Sequence, residues 1–283
     1  MDSLQVKRAV RGQLGAALRA LRGMDAPDDG RVHEARKALK RARTGLRLLR
    51  LAVEPAMYAH ENERLRNVGR QLSGVRDDKV LLGTLGRMLK REDDPARRAV
   101  LRQLREQTSK DRRVRWREMQ AADTLAYIER SLRESARRVG HLRAAGDGSA
   151  PIEDALEALF RKSRKRLRRA RKAPGDAALH EARKQVKHLA HAVEMLPAAA
   201  ESKRARKVLA RLAEAGELLG KDHDLAVLAT SLRRLGPAAK EVSRDLGERI
   251  GRRRARLQKK ALKRGRPALR KKTRSLLGKL AAA

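Results

Sequence analysis

Cysteine is missing from the 283-residue chain, and aromatic residues are reduced to Tyr58, Trp116, Tyr127 and Phe160. Without thiols there are no disulfides and no thiolate metal sites, which fits a reducing cytoplasm. Four rings make a poor platform for stacked bases, the usual device of single-stranded nucleic-acid binders. Long apolar runs are absent as well. Nothing approaches the roughly 18 apolar residues of a membrane span, and Arg8, Arg11 and Arg19 interrupt the N-terminal segment where a secretory leader needs an uncharged stretch. That segment reads as an amphipathic helix, and the chain as a soluble cytoplasmic protein with no membrane partner. Acidic residues are scarce against basic ones, 34 to 72, which leaves a net charge of +38. Self-repulsion of that size opposes compaction, so a polyanionic partner is the natural reason to keep it. With stacking disfavoured, the partner is one recognised through phosphates.

What remains is helix-forming. Runs of Ala, Leu, Arg, Lys and Glu alternate with short Gly, Pro and Asp clusters, and no segment alternates as a strand would. Breakers fall at 23–30, 54–55, 91–95, 144–151, 173–176, 196–197, 236–237 and 266–267. The stretch at 144–151 is the weakest helix former near the middle of the chain. It divides the chain into residues 1–145 and 150–283, each expected to be a helical bundle.

One block occurs in both halves: "VHEARKALKRAR" begins at Val32 and "LHEARKQVKHLA" at Leu179. Val32, Ala35, Leu39, Ala42, Leu46 and Leu49 form an apolar seam with spacing 3, 4, 3, 4, 3, and Leu179, Ala182, Val186, Leu189, Val193 and Leu196 repeat it. This is the stripe of a helix packed in a bundle. At about 100° per residue, His33, Arg36, Lys40, Arg43 and Arg47 fall in one quadrant beside the first seam, with Lys37 at its margin. His180, Arg183, Lys184, Lys187 and His191 fall in the equivalent sector of the second, where Ala190 and Glu194 replace the last two arginines. Solvated helix faces ordinarily mix signs so that charges one turn apart attract. A nearly acid-free stripe used twice is better suited to holding an anion, and the histidines are donors that such an anion would keep protonated.

A second pair follows the first: "LSGVRDDKVLLGTL" at 72–85 and "LLGKDHDLAVLATSL" at 218–232. Asp77 and Asp222 are expected there as N-caps of the next helices. The helices preceding the two motifs carry Arg8, Arg11 and Arg22 in one half and Arg161, Arg164, Lys165 and Arg168 in the other, and are expected to flank the same cavity. The segment 249–279 contains no acid. It is expected to be helical to about Lys263 and to continue as a basic extension after Pro267.

Catalytic parts are missing. In a His-Glu-x-x-His site the second ligand would stand where Lys37 and Lys184 are, and a cation there repels a metal. There is no phosphate-binding glycine loop, and "KDHD" at 221–224 lacks the further ligands a His-Asp metal site needs. No metal, no cofactor and no enzymatic activity are expected.

The two motifs and the helix starts that follow them resemble the half-motifs of the CHAD family, the histidine-containing α-helical domains, over nearly the whole chain. The resemblance implies an all-α fold of two pseudo-symmetric, duplicated bundles facing a shared basic cavity, and binding of inorganic polyphosphate, often at polyphosphate granules. It assigns the family's His, Arg and Lys positions to His33, Arg36 and Lys40 and to His180, Arg183 and Lys187. The later basic position is Arg43 in the first half and Ala190 in the second. The alternative for a chain this basic is nonspecific nucleic-acid binding. A monomer is compatible with either.

Overall fold

A computed structural model describes residues 1–24, 27–120, 124–142 and 149–282, and every regular element among them is helical. In the first half these are α1 (Ser3–Leu21), α2 (Asp29–Leu48), α3 (Pro55–Gln71), α4 (Ser73–Leu89), α5 (Pro95–Gln120) and α6 (Thr124–His141). The second half contains α7 (Ala150–Lys172), α8 (Asp176–Glu194), the single turn α9 (Pro197–Glu201), α10 (Lys203–Leu232), α11 (Lys240–Gly265) and α12 (Lys271–Ala282). Proline opens α3, α5 and α9 and stands in the first turn of α7, where its missing N–H costs nothing. The expected boundary between 145 and 150 lies largely outside the described residues.

The halves repeat one order of packing. α1 lies along α2 and α6, as α7 lies along α8 and α12, and α4 packs on α5 as α10 packs on α11. All twelve seam residues of the two motif helices are buried, as their period requires. The halves nevertheless do not have separate cores. The main core joins α1, α2 and α6 to α7, α8, α10 and α12, and a smaller one joins Leu81, Leu85, Leu101 and Leu104 to Leu225, Leu228, Leu246 and Ile250. α2 and α8 touch directly. Gly45 permits this approach: a Cβ there would stand 2.5 Å from a Val10 methyl and 2.8 Å from the Met195 methyl.

Two local expectations are corrected. Asp77 and Asp222 are not N-caps. α4 starts at Ser73 and runs through Asp77, and α10 is continuous through Asp222. The chain after Pro267 is not an extension either. A 3₁₀ turn (Arg266–Leu269) leads into α12, which buries Leu277, Leu280 and Ala281 and packs on α7. The N-terminal amine donates to the Ala281 carbonyl, so the two ends of the chain meet.

Candidate functional site

The contact between α2 and α8 brings the two basic stripes side by side, and α4 and α10 wall them in. Arg36, Lys40, Arg183 and Lys187 form one electrostatic cluster, joined by Arg76 and Arg87 from α4. Further along α2, Arg43 and Arg47 lie beside Tyr58, Arg66 and Arg70 of α3. Crowding depresses these cations. Desolvation first, then Arg36, Lys187 and Arg183, hold the Lys40 ammonium down at about 8. Desolvation and then Arg47 hold Arg43 at about 10, and desolvation lowers Arg36, Arg47, Arg183 and Lys187 too. Lys40 is exposed to solvent yet strongly desolvated.

Counter-charge is sparse. Arg36 donates to the Gly69 carbonyl (3.1 Å) and the Ser73 hydroxyl (2.6 Å), and its nearest carboxylate, the exposed Asp77, is 3.9 Å away. Among the described residues, Lys40, Arg43, Arg47, Arg183 and Lys187 have no carboxylate within 4.0 Å. The Nε atoms of Arg43 and Arg183 are buried without a hydrogen-bond partner, a rare condition in folded proteins. Asp224 stands at the edge of the group, where burial raises its pKa against the pull of Arg183, Arg87, Lys187 and Arg76.

The histidines lie at one end. His33 and His180 are held below the ordinary value, chiefly by desolvation, then by Arg76 for His33 and by Lys184 and Arg183 for His180. His223 of α10, weighed in the sequence only as part of a metal motif, has its ring centroid 4.9 Å from that of His180. Desolvation, then Arg183 and His180, push it down to about 4. His188 is different: it packs between α2 and α8 with Nδ1 3.2 Å from the Thr44 hydroxyl, and desolvation lowers it to about 2.

The remaining sequence candidates are placed elsewhere. Lys37 and Lys184 sit on the rim, each tied to the glutamate three residues earlier in its motif (3.3 Å to Glu34, 2.6 Å to Glu181). His191 turns to Glu194, which also holds Arg41, in a recess bounded by Ala9 and Gln13 of α1. Arg8, Arg11 and Arg22 are exposed on the α1 side, and Arg11 lies along α6 at Gly140. Arg161 pairs with Glu157, and Lys165 is exposed. Arg164 and Arg168 line a different cavity, between α7 and the C-terminal helices. None of these residues is among the charges that perturb the cluster.

The clamps that hold the cluster are also duplicated, and the sequence did not reveal them. Asp29 and Asp176, each four residues before a motif histidine, pair with Arg112 and Arg254. Buried Asp78 and Asp222 pair with Arg115 and Arg254, so Asp222 matches Asp78 and not Asp77. Gln258 adds a 2.9 Å hydrogen bond to Asp222. Asp222→Ala should leave the Arg254 guanidinium without its buried partner and lower unfolding free energy by about 3 kcal/mol, measurable by chemical denaturation. A loss below about 1 kcal/mol would show that the clamp does not hold α10 to α11.

The family model of the CHAD domain matches residues 8–233. Among solved structures, the crystal structure of the CHAD domain from the plant Ricinus communis superposes with a TM-score of 0.68 at 21% identity, covering 94% of this chain and 91% of that one. PptA from Streptomyces chartreusis superposes with a TM-score of 0.67 at 17% identity, covering 94% and 98%. No curated protein sequence matches.

Proposed function

The chain belongs to the CHAD domain family, and on that premise we propose that it binds inorganic polyphosphate between α2 and α8 without catalysing its turnover, in the cytoplasm and at polyphosphate granules. The observation that carries this reading is the cluster of Arg36, Lys40, Arg183 and Lys187, contributed by both motif helices, desolvated and almost without counter-ions. Such a group destabilises the empty protein by mutual repulsion and is relieved by an anion with many closely spaced charges. Each non-bridging oxygen can accept a charge-assisted hydrogen bond from the guanidinium and ammonium groups of this cluster. Set between α4 and α10, such a cluster favours a thin phosphate chain over a duplex about 20 Å across. No helix among the described residues is long and apolar enough to cross a membrane.

Competition decides between phosphate-chain and duplex recognition. At equal phosphate concentration and fixed salt, long-chain polyphosphate should displace labelled duplex DNA from the protein, and DNA should fail to displace polyphosphate. Affinity should also fall steeply with added salt, by analogy with counter-ion release. Displacement of polyphosphate by DNA would overturn the reading, and shortening of the recovered polyphosphate would overturn its non-catalytic part.

A further inference from the structure

A second basic cavity, of about 440 Å³, lies between α7 and the C-terminal helices. Its wall carries Arg164, Arg168, Arg171, Arg266, Arg270 and Lys271 and no acidic residue, and its floor is Leu167, Leu262 and Leu269. None of the six cations is among the charges that perturb the Arg36–Arg183 cluster. The combination differs from the first site in kind. A polyphosphate chain has no use for leucines, whereas pockets for organic ligands pair an apolar bed with a few placed polar groups and have volumes of about 300–1,000 Å³.

We propose that this cavity is a separate site for a nucleoside triphosphate. Arg270 holds the N-cap position of α12 in an extended conformation (φ −79°, ψ 160°), and an arginine side chain has no acceptor with which to cap the first N–H groups. The start of α12 therefore offers backbone donors and the positive end of the helix dipole beside Arg266, Arg270 and Lys271, a setting for phosphates. Leu167, Leu262 and Leu269 line the same cavity, and a planar base can rest on that aliphatic surface and beneath guanidinium planes, which stack on flat rings. The floor is fixed by close packing: a Cβ on Gly265 would come within 3.1 Å of a Leu167 methyl and 3.3 Å of the Ala215 Cβ. The site goes beyond polyphosphate binding and stands without it.

Calorimetry with ATP, inorganic tripolyphosphate and adenosine, on wild type, on Arg168→Ala/Arg270→Ala and on Arg36→Ala/Lys40→Ala/Arg183→Ala/Lys187→Ala, tests the proposal. Arg168 and Arg270 are exposed, so their removal leaves the core intact, which a thermal melt verifies. Expected, in the cleft variant where tripolyphosphate has no central site, is ATP binding tighter than tripolyphosphate binding by about tenfold, the difference being the base on its apolar bed. The pocket variant should lose ATP binding by about tenfold or more and keep long-chain polyphosphate binding, while the cleft variant does the reverse. ATP binding no tighter than tripolyphosphate binding in the cleft variant, or ATP binding lost only in the cleft variant, would overturn the second site. Failure of polyphosphate binding in wild type would instead count against the central cleft alone.

Discussion

Replacing Arg36, Lys40, Arg183 and Lys187 together by Ala is expected to weaken polyphosphate binding by about 10³-fold or more. Each lost charge-assisted hydrogen bond from a desolvated group contributes about 1.5–3 kcal/mol, and 1.4 kcal/mol is tenfold. Replacing Arg252, Arg253, Arg256 and Lys259, which lie exposed on α11, changes the net charge equally and should cost less than about tenfold. The cleft variant should also melt no lower than wild type, because it removes cations that repel one another. Equilibrium binding at one fixed salt concentration checks both variants. Equal losses would mean that diffuse attraction by the +38 chain accounts for the affinity and that no specific cleft exists.

The stripes were legible because a helix converts spacing into direction. The 3-4 seams give the rotation of α2 and α8 about their own axes, and the seam residues are buried as that rotation demands. Periodicity says nothing about which other helix stands opposite, so Arg76 and Arg87 were not placed at the site and His223 and Asp224 were weighed only as part of a metal motif, although all four wall the cluster. The same limit applies to Arg8, Arg11 and Arg22: α1 adjoins α2, but all three are exposed and Arg11 lies against α6 at Gly140. Asp77 and Asp222 misled because Asp is a good N-cap. Inside a helix it is tolerated when an arginine of another helix meets it, as Arg254 meets Asp222, and that partner is remote in sequence. In α12, charge density concealed a short apolar face of Leu277, Leu280 and Ala281. One signal was available and unused: Asp29 and Asp176 precede their histidines by the same four residues and make the same kind of clamp.

Binding of polyphosphate should tighten in two steps as pH falls, and the histidines should account for the lower one. In the free protein His33 and His180 lie below the ordinary imidazole value and His223 lies at about 4, so all three rings are neutral at pH 7. Lys40, held at about 8, is partly neutral above that pH. A phosphate chain beside these groups favours their charged forms and raises every one of these pKa values. The complex then binds more protons than the free protein, and affinity must rise as pH falls from each bound-state pKa to the corresponding free-state pKa. Lys40 gives a step above neutrality that is complete below about pH 8. The imidazoles give a second step below it, since a neutral ring offers one donor and a protonated ring offers two donors and a charge. Acid acts in the opposite sense on the fold. His188 has a folded-state pKa of about 2 against an ordinary 6.5, so its neutral form contributes stability that is present above pH 6.5 and is lost progressively below it. Affinities are therefore compared at about pH 9, 8 and 6, with a melt at each pH to show that the fold is intact. Variant His33→Gln/His180→Gln/His223→Gln should keep the upper step and lose the lower one, and Lys40→Arg should do the reverse. A folded histidine variant that still tightens between pH 8 and pH 6 as wild type does would remove the imidazoles from the binding site and leave them as scaffold beside Arg36, Lys40, Arg183 and Lys187.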